Sequence, residues 1–110
     1  MQKDVKFTEQ GDSLFVLIGC DLDHHSVRSI RERIDDRLLD RAPRRLVLDF
    51  SGVSFMDSSG LGLIMGSVEK ARIIGARVCL DGLSPTLLKL IRLSGIERIE
   101  NLSVLNQALK

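Results

Sequence analysis

The stretch Leu46–Gly66, LVLDFSGVSFMDSSGLGLIMG, decides the fold. Its apolar opening, Leu46-Val47-Leu48, followed by Asp49-Phe50, has the length and character of a strand buried on both faces. Ser51-Gly52-Val53-Ser54 carries turn chemistry, and Asp57-Ser58-Ser59-Gly60 follows it. From Leu61 the period changes, because Leu61, Ile64, Met65 and Val68 recur at helical spacing. Asp57 or Ser58 is the natural N-cap, since a short oxygen-bearing side chain satisfies the orphan N–H groups of a first helical turn. The pattern places serines at the positive end of a helix, just after a central strand. Such an end is suited to receive a phosphate.

Upstream, Val5 and Phe7 alternate with polar neighbours, and Gln10-Gly11-Asp12 supplies a turn before Leu14–Ile18. This predicts an antiparallel pair of strands with the first at an edge. Asp23 is placed to cap a helix that carries Val27, Ile30, Ile34 and Leu38 on one face and Arg28, Arg31, Glu32, Asp35 and Asp36 on the other. Pro43 separates it from the strand at 46–50. Downstream, the central helix runs from about Ser59 to Ile74 and stops at Gly75, and Ala76–Leu80 reads as the next strand. Ser84-Pro85 opens a further helix, with Pro85 where a missing N–H costs nothing. That helix ends at Gly95. Ile96–Ile99 reads as a short last strand and Ser103–Leu109 as a terminal helix. The alternation predicts one α/β domain over residues 1–110, with a mixed, mostly parallel sheet of four to five strands and about four helices.

Composition narrows the function classes. A chain of 110 residues has room for one core. Tryptophan and tyrosine are absent, so that core must be built mainly of Leu, Ile and Val. With 16 basic and 15 acidic residues the net charge is +1, which gives no electrostatic reason to expect nucleic acid or an anionic membrane surface. No apolar run approaches the roughly 18 residues of a membrane span, and the N-terminus lacks a signal-peptide core. Cys20 and Cys79 are far apart in sequence and read as small hydrophobes of a reduced compartment. A cytoplasmic protein is the expectation.

Each candidate chemistry meets a plainer rival. Hydrolysis through Ser58 or Ser59 lacks the G-x-S-x-G elbow, and the histidines are His24 and His25 alone. Gly60, Gly62 and Gly66 fall one residue off the dinucleotide fingerprint, with no acidic partner about 20 residues on and no Walker lysine. His24-His25 with Asp21, Asp23 and Cys20 does not space metal ligands by helical turns. Three glycines in one helix cost about 0.5–1 kcal/mol each against alanine. That cost points to a surface another molecule approaches closely.

The block Phe55-Met56-Asp57-Ser58-Ser59-Gly60-Leu61-Gly62 resembles the signature of the anti-sigma factor antagonists, the bacterial members of the STAS family. Leu22-Asp23-His24-His25 is similar to the corresponding stretch of the sporulation-type antagonists, and Asp81–Gly95 to their later region. One departure is Cys20, where the family pattern has glycine. The resemblance implies a STAS domain that is a binding module and no enzyme, with no cofactor or metal. It implies phosphorylation of Ser58 by an anti-sigma factor that is also a serine kinase, and resetting by a PP2C-type phosphatase. Asp57, Ser59 and Gly60 would shape the acceptor loop, and Asp23, at the neighbouring helix start, would be a partner contact. The missing side chain of Gly62 reads as room for a partner. A small-ligand or nucleotide-binding STAS module is the alternative, and a scaffold domain in a larger assembly a third. The chemistry of two adjacent hydroxyls does not choose between Ser58 and Ser59; only the family position favours Ser58.

Overall fold

In the computed structural model, which describes residues 4–105, Val5–Gln10 (β1) and Ser13–Ile18 (β2) form the antiparallel pair. Gly11, at φ +58°, makes the tight connection. Helix α1 (Val27–Arg41) leads to β3 (Arg45–Asp49), α2 (Ser58–Ile73) to β4 (Arg77–Asp81), and α3 (Pro85–Ser94) to a 3-10 turn (Ile96–Arg98) and β5 (Leu102–Val104). The five strands lie in sequential order in one mixed sheet. β1 is antiparallel to β2, while β2–β3, β3–β4 and β4–β5 are parallel.

Sequential order joined by crossovers of one hand puts the helices on one face of the sheet. Burial agrees. Leu14, Leu46, Val78 and Leu102 form one row across the sheet and are buried with Ile34, Leu38, Ile64, Val68 and Ile91 of the helices. On the other face, Val47 and Cys79 in the middle of the sheet are buried, while Phe15 is half-buried and Leu17 exposed. The residues of α1 expected to face inward do so: Ile30, Ile34 and Leu38 are buried. Each such aliphatic side chain taken out of water contributes about 1.5–3 kcal/mol.

The caps explain the helix limits. Asp57, in extended conformation, accepts the Ser59 N–H at 2.7 Å and starts α2, so Ser58 is its first helical residue rather than its cap. Ser84 accepts the Leu87 N–H at 3.2 Å, with Pro85 in the first turn. Gly95 closes α3 in the left-handed conformation.

Three expectations change. Asp23 caps a turn rather than the helix itself: its carboxylate takes the His25 and Ser26 amides, and α1 begins only at Val27. Ile96–Ile99 is not a strand. The chain leaves Gly95 in a tight turn, with the Arg98 N–H on the Gly95 carbonyl and the Ile99 N–H on that of Ile96. It reaches the edge of β4 only at Leu102. Asn101 fixes that approach by donating to the Val68 and Ala76 carbonyls. Ser103 and Val104 therefore belong to β5, and the rest of the expected terminal helix lies outside the described residues. Those residues hold three α-helices, not four.

This topology brings the loops that follow β2, β3 and β4 to one end of the sheet. In open parallel sheets the C-terminal ends of strands are where ligands and partners are met.

Candidate functional site: the Ser58 loop and the two helices beside it

The loop between β3 and α2 is held from within and from its neighbours. Asp49 accepts the Ser51 N–H at 2.9 Å and its hydroxyl at 2.7 Å. Val53 donates to the Phe50 carbonyl, and Phe50 to that of Asp81 at the end of β4. The loop after β2 is then joined to it residue by residue. Asp21 Oδ1 accepts the Ser54 N–H at 3.0 Å and the Phe55 N–H at 3.1 Å. The Leu22 N–H donates to the Phe55 carbonyl and the Asp57 N–H to the Leu22 carbonyl, making a parallel bridge between Leu22 and Met56. Gly52 permits the approach: a Cβ there would lie 2.8 Å from the Ile18 carbonyl oxygen and 3.1 Å from the Gly19 Cα.

Ser58 follows directly, exposed at the first position of α2. Asp57 and Ser59 on either side are half-buried. Ser59 lines an open cleft of about 590 Å³ between α1 and α2 together with His24, Arg28, Arg31 and Gly62. The two serines, equivalent in the sequence, thus differ in environment. Gly60 is buried against Met56, whose side chain a Cβ would strike at 2.8–3.0 Å, so it shapes the loop from inside. Gly66 lies under the Arg31 guanidinium and lets α1 and α2 close together. Gly62 has no such internal reason. It is exposed, and a Cβ there would meet nothing within 4 Å.

Asp23 is half-buried in the adjoining loop. Hydrogen bonds from the Ser26 and His25 amides hold its carboxyl below the ordinary carboxylate range, with the His25 charge adding to the effect. Both bonds end on Oδ1, at 3.0 and 2.9 Å. Cys20, half-buried nearby, is pushed the other way: burial, then the charges of Asp4, Asp21 and Asp23, raise its thiol and keep it protonated. Cys79 is buried, and both cysteines are free.

Among the described residues no group of three or more His, Cys, Asp or Glu is placed to hold a metal ion, and no helix is long and apolar enough to cross a membrane. The His24 and His25 rings lie 4.0 Å apart and tilted.

The sequence singled out Asp23, Asp57, Ser58, Ser59, Gly60 and Gly62, and the fold gathers them at the start of α2 and the turn before α1. It missed Asp21, whose partners lie 33 and 34 residues away. It also missed Phe55. Both backbone groups of Phe55 are bonded to the other loop, while the residue is 54% exposed at a shallow groove with Leu87, Leu90 and Leu93. A lone aromatic in a polar turn region was the available signal.

The STAS domain model matches residues 4–106. The chain belongs to the STAS domain family. It is 36% identical over 85 residues to an anti-sigma F factor antagonist of Lysinibacillus sphaericus, covering 77% of this chain and 73% of that protein. It is 31% identical over 100 residues to an anti-sigma-B factor antagonist of Bacillus subtilis, covering 91% and 88%. Among solved structures, it resembles the anti-sigma factor antagonist SpoIIAA in its unphosphorylated form, with a TM-score of 0.72, 25% identity and coverage of 93% and 87%. The phosphorylated form, from Bacillus, gives 0.71, 26%, and 96% and 94%.

Proposed function

We propose that this protein is an anti-sigma factor antagonist: unphosphorylated, it binds an anti-sigma factor that is also a serine kinase and so releases a sigma factor, and phosphorylation of Ser58 ends that binding. The observation that carries the reading is the exposed Ser58 hydroxyl at the first position of α2, on a loop fixed by its neighbours, in a chain whose relatives are named antagonists of anti-sigma factors. A PP2C-type phosphatase resets Ser58, and the exchange takes place in the cytoplasm. The protein acts as substrate and binding module, without catalysis of its own. Asp23, Asp57, Ser59 and Gly62 form or border the contact, and Gly60 supports it from inside.

The switch needs no refolding. Phosphate adds roughly −1.5 to −2 charges. A helix N-terminus favours such charge by about 0.3–1 kcal/mol, but Asp57 already occupies the Ser59 amide. Two like charges about 5 Å apart interact by roughly 3 kcal/mol at an effective dielectric near 20. A hundredfold loss of affinity takes about 2.7 kcal/mol. Repulsion from the kinase's own nucleotide, with the bulk of the group at a desolvated contact, is sufficient. The near-equal likeness to both forms of SpoIIAA fits a fold that survives the modification.

The test is intact mass and peptide mapping after incubation with ATP and candidate anti-sigma kinases of the same genome. One phosphate at Ser58, absent from Ser58→Ala, is the expected result. Phosphate at Ser59 would move the site, and none with any kinase would overturn the reading. A second reading, a nucleotide-binding module, would use the α1–α2 cleft, lined by His24, Arg28, Arg31 and Ser59 and also by Glu32 and Asp35. Nucleotide retained through gel filtration, and lost in Arg28→Ala, would favour it.

A further inference from the structure

We propose that Asp21 is a positioning residue for phosphorylation, acting through the backbone that leads to Ser58; this rests on the reading of Ser58 as acceptor. Residues 54–57 are the final approach to α2. The amides of Ser54, Phe55 and Asp57 all go to Asp21 and Leu22, and the first two converge on the single oxygen Asp21 Oδ1, at 3.0 and 3.1 Å. Consecutive N–H groups aimed at one anionic oxygen make a strong, directional anchor. Asp21 is itself fixed, because the Ser26 hydroxyl donates to its carbonyl at 2.9 Å. Ser26 in turn receives the Asp23 N–H and gives its own N–H to the Asp23 carboxylate. The chain of bonds therefore runs from the turn before α1, through Asp21, to the acceptor loop.

Asp21 is exposed and lies outside the apolar core. Removing its carboxylate lets water take the two amides, so the fold persists while the loop samples more conformations. A kinase that needs one of them then binds less tightly in proportion to the fraction remaining, whereas the phosphoryl transfer, once the loop is seated, is unchanged. The signature is a raised KM at constant kcat.

The experiment compares Asp21→Ala and Asp21→Asn with wild type, in kinase assays and in amide hydrogen exchange of the free protein. In Asp21→Ala the Ser54 and Phe55 amides exchange faster while those of Ile64 and Val68 keep their protection, and KM rises roughly tenfold with kcat retained. Asp21→Asn keeps an oxygen acceptor and restores most of both. Unchanged exchange at Ser54 and Phe55 overturns the proposal, as does faster exchange with unchanged KM, or a loss confined to kcat. Wild type that no kinase phosphorylates at Ser58 overturns the underlying reading and the positioning role with it; wild type phosphorylated normally beside an unaffected Asp21→Ala overturns the positioning role alone.

Discussion

The two ends of the sheet are built differently. At the end that carries Ser58, loop amides are held by aspartate side chains: Asp21 takes Ser54 and Phe55, Asp23 takes His25 and Ser26, Asp49 takes Ser51, Asp57 takes Ser59 and Asp81 takes Gly82. At the opposite end the backbone bonds to itself, with Arg44 and Arg45 donating to the Asp12 carbonyl and Arg77 to that of Arg44. Side chains there meet as exposed ion pairs, Arg41 with Glu9 at 3.0 Å and Arg44 with Asp12 at 4.0 Å. Such pairs are worth about 0–1 kcal/mol. One end is thus shaped by individual carboxylates that set loop conformation, the other mainly by backbone bonds, to which the Asn101 and Arg77 side chains add bonds to the Val68, Ala76 and Glu100 carbonyls. The surface proposed to meet the partner lies at the first.

Four substitutions sharpen or break this contrast. Gly52→Ala drives a Cβ into the Ile18 carbonyl at 2.8 Å and separates the two loops; a loss of about 1–3 kcal/mol is expected in urea unfolding, and an unchanged midpoint would mean that the loops are not in tight contact. Gly62→Val meets no atom of its own fold. Its stability should hold or rise slightly, since valine is no worse than glycine in a helix, while affinity for the anti-sigma factor falls about tenfold, or about 1.4 kcal/mol. Unaltered stability and affinity together would remove Gly62 from the interface. At the other end, Ala42 closes α1 at φ 44°, a left-handed conformation. Ala42→Gly should gain a few tenths to about 1 kcal/mol by relieving that strain, with no change in partner binding.

The smallest effect is one of pH. The Asp23 carboxyl is depressed in the folded state, so its contribution is fully present above its ordinary value of 3.8 and is lost as pH falls through the lower folded value. Asn caps as well as Asp does, so Asp23→Asn should unfold like wild type in shape but with a flatter decline in stability through the acid range. Parallel curves would show that the depressed carboxyl does not contribute.

The centre of the molecule was legible because its signals are local. The apolar run at 46–48, a cap at Asp57 or Ser58, the change to helical spacing at Leu61 and the Ser84-Pro85 start each act within a few residues. What escaped is set by distant partners. The bonds from Asp21 to Ser54 and Phe55 depend on two loops meeting at one end of the sheet. The strand expected at Ile96–Ile99 became a 3-10 turn because only Leu102–Val104 comes into register with β4, at Val78↔Leu102. The glycines of α2 divide in the same way. Spacing grouped them, yet Gly60 and Gly66 answer to Met56 and Arg31, and Gly62 alone is left facing outward. The cap role of Asp23 was legible as chemistry and displaced in position, since a turn precedes the helix it was expected to start.

In the proposed switch, charge at one exposed position, without refolding, decides whether the partner stays. This is tested most directly by titrating the cognate anti-sigma factor, with its nucleotide bound, against unphosphorylated protein, Ser58-phosphorylated protein and Ser58→Ala. The account predicts equal tight binding for the first and third and about a hundredfold weaker binding for the second, with all three unfolding at similar urea concentrations. Equal affinity of the phosphorylated and unphosphorylated forms would contradict it.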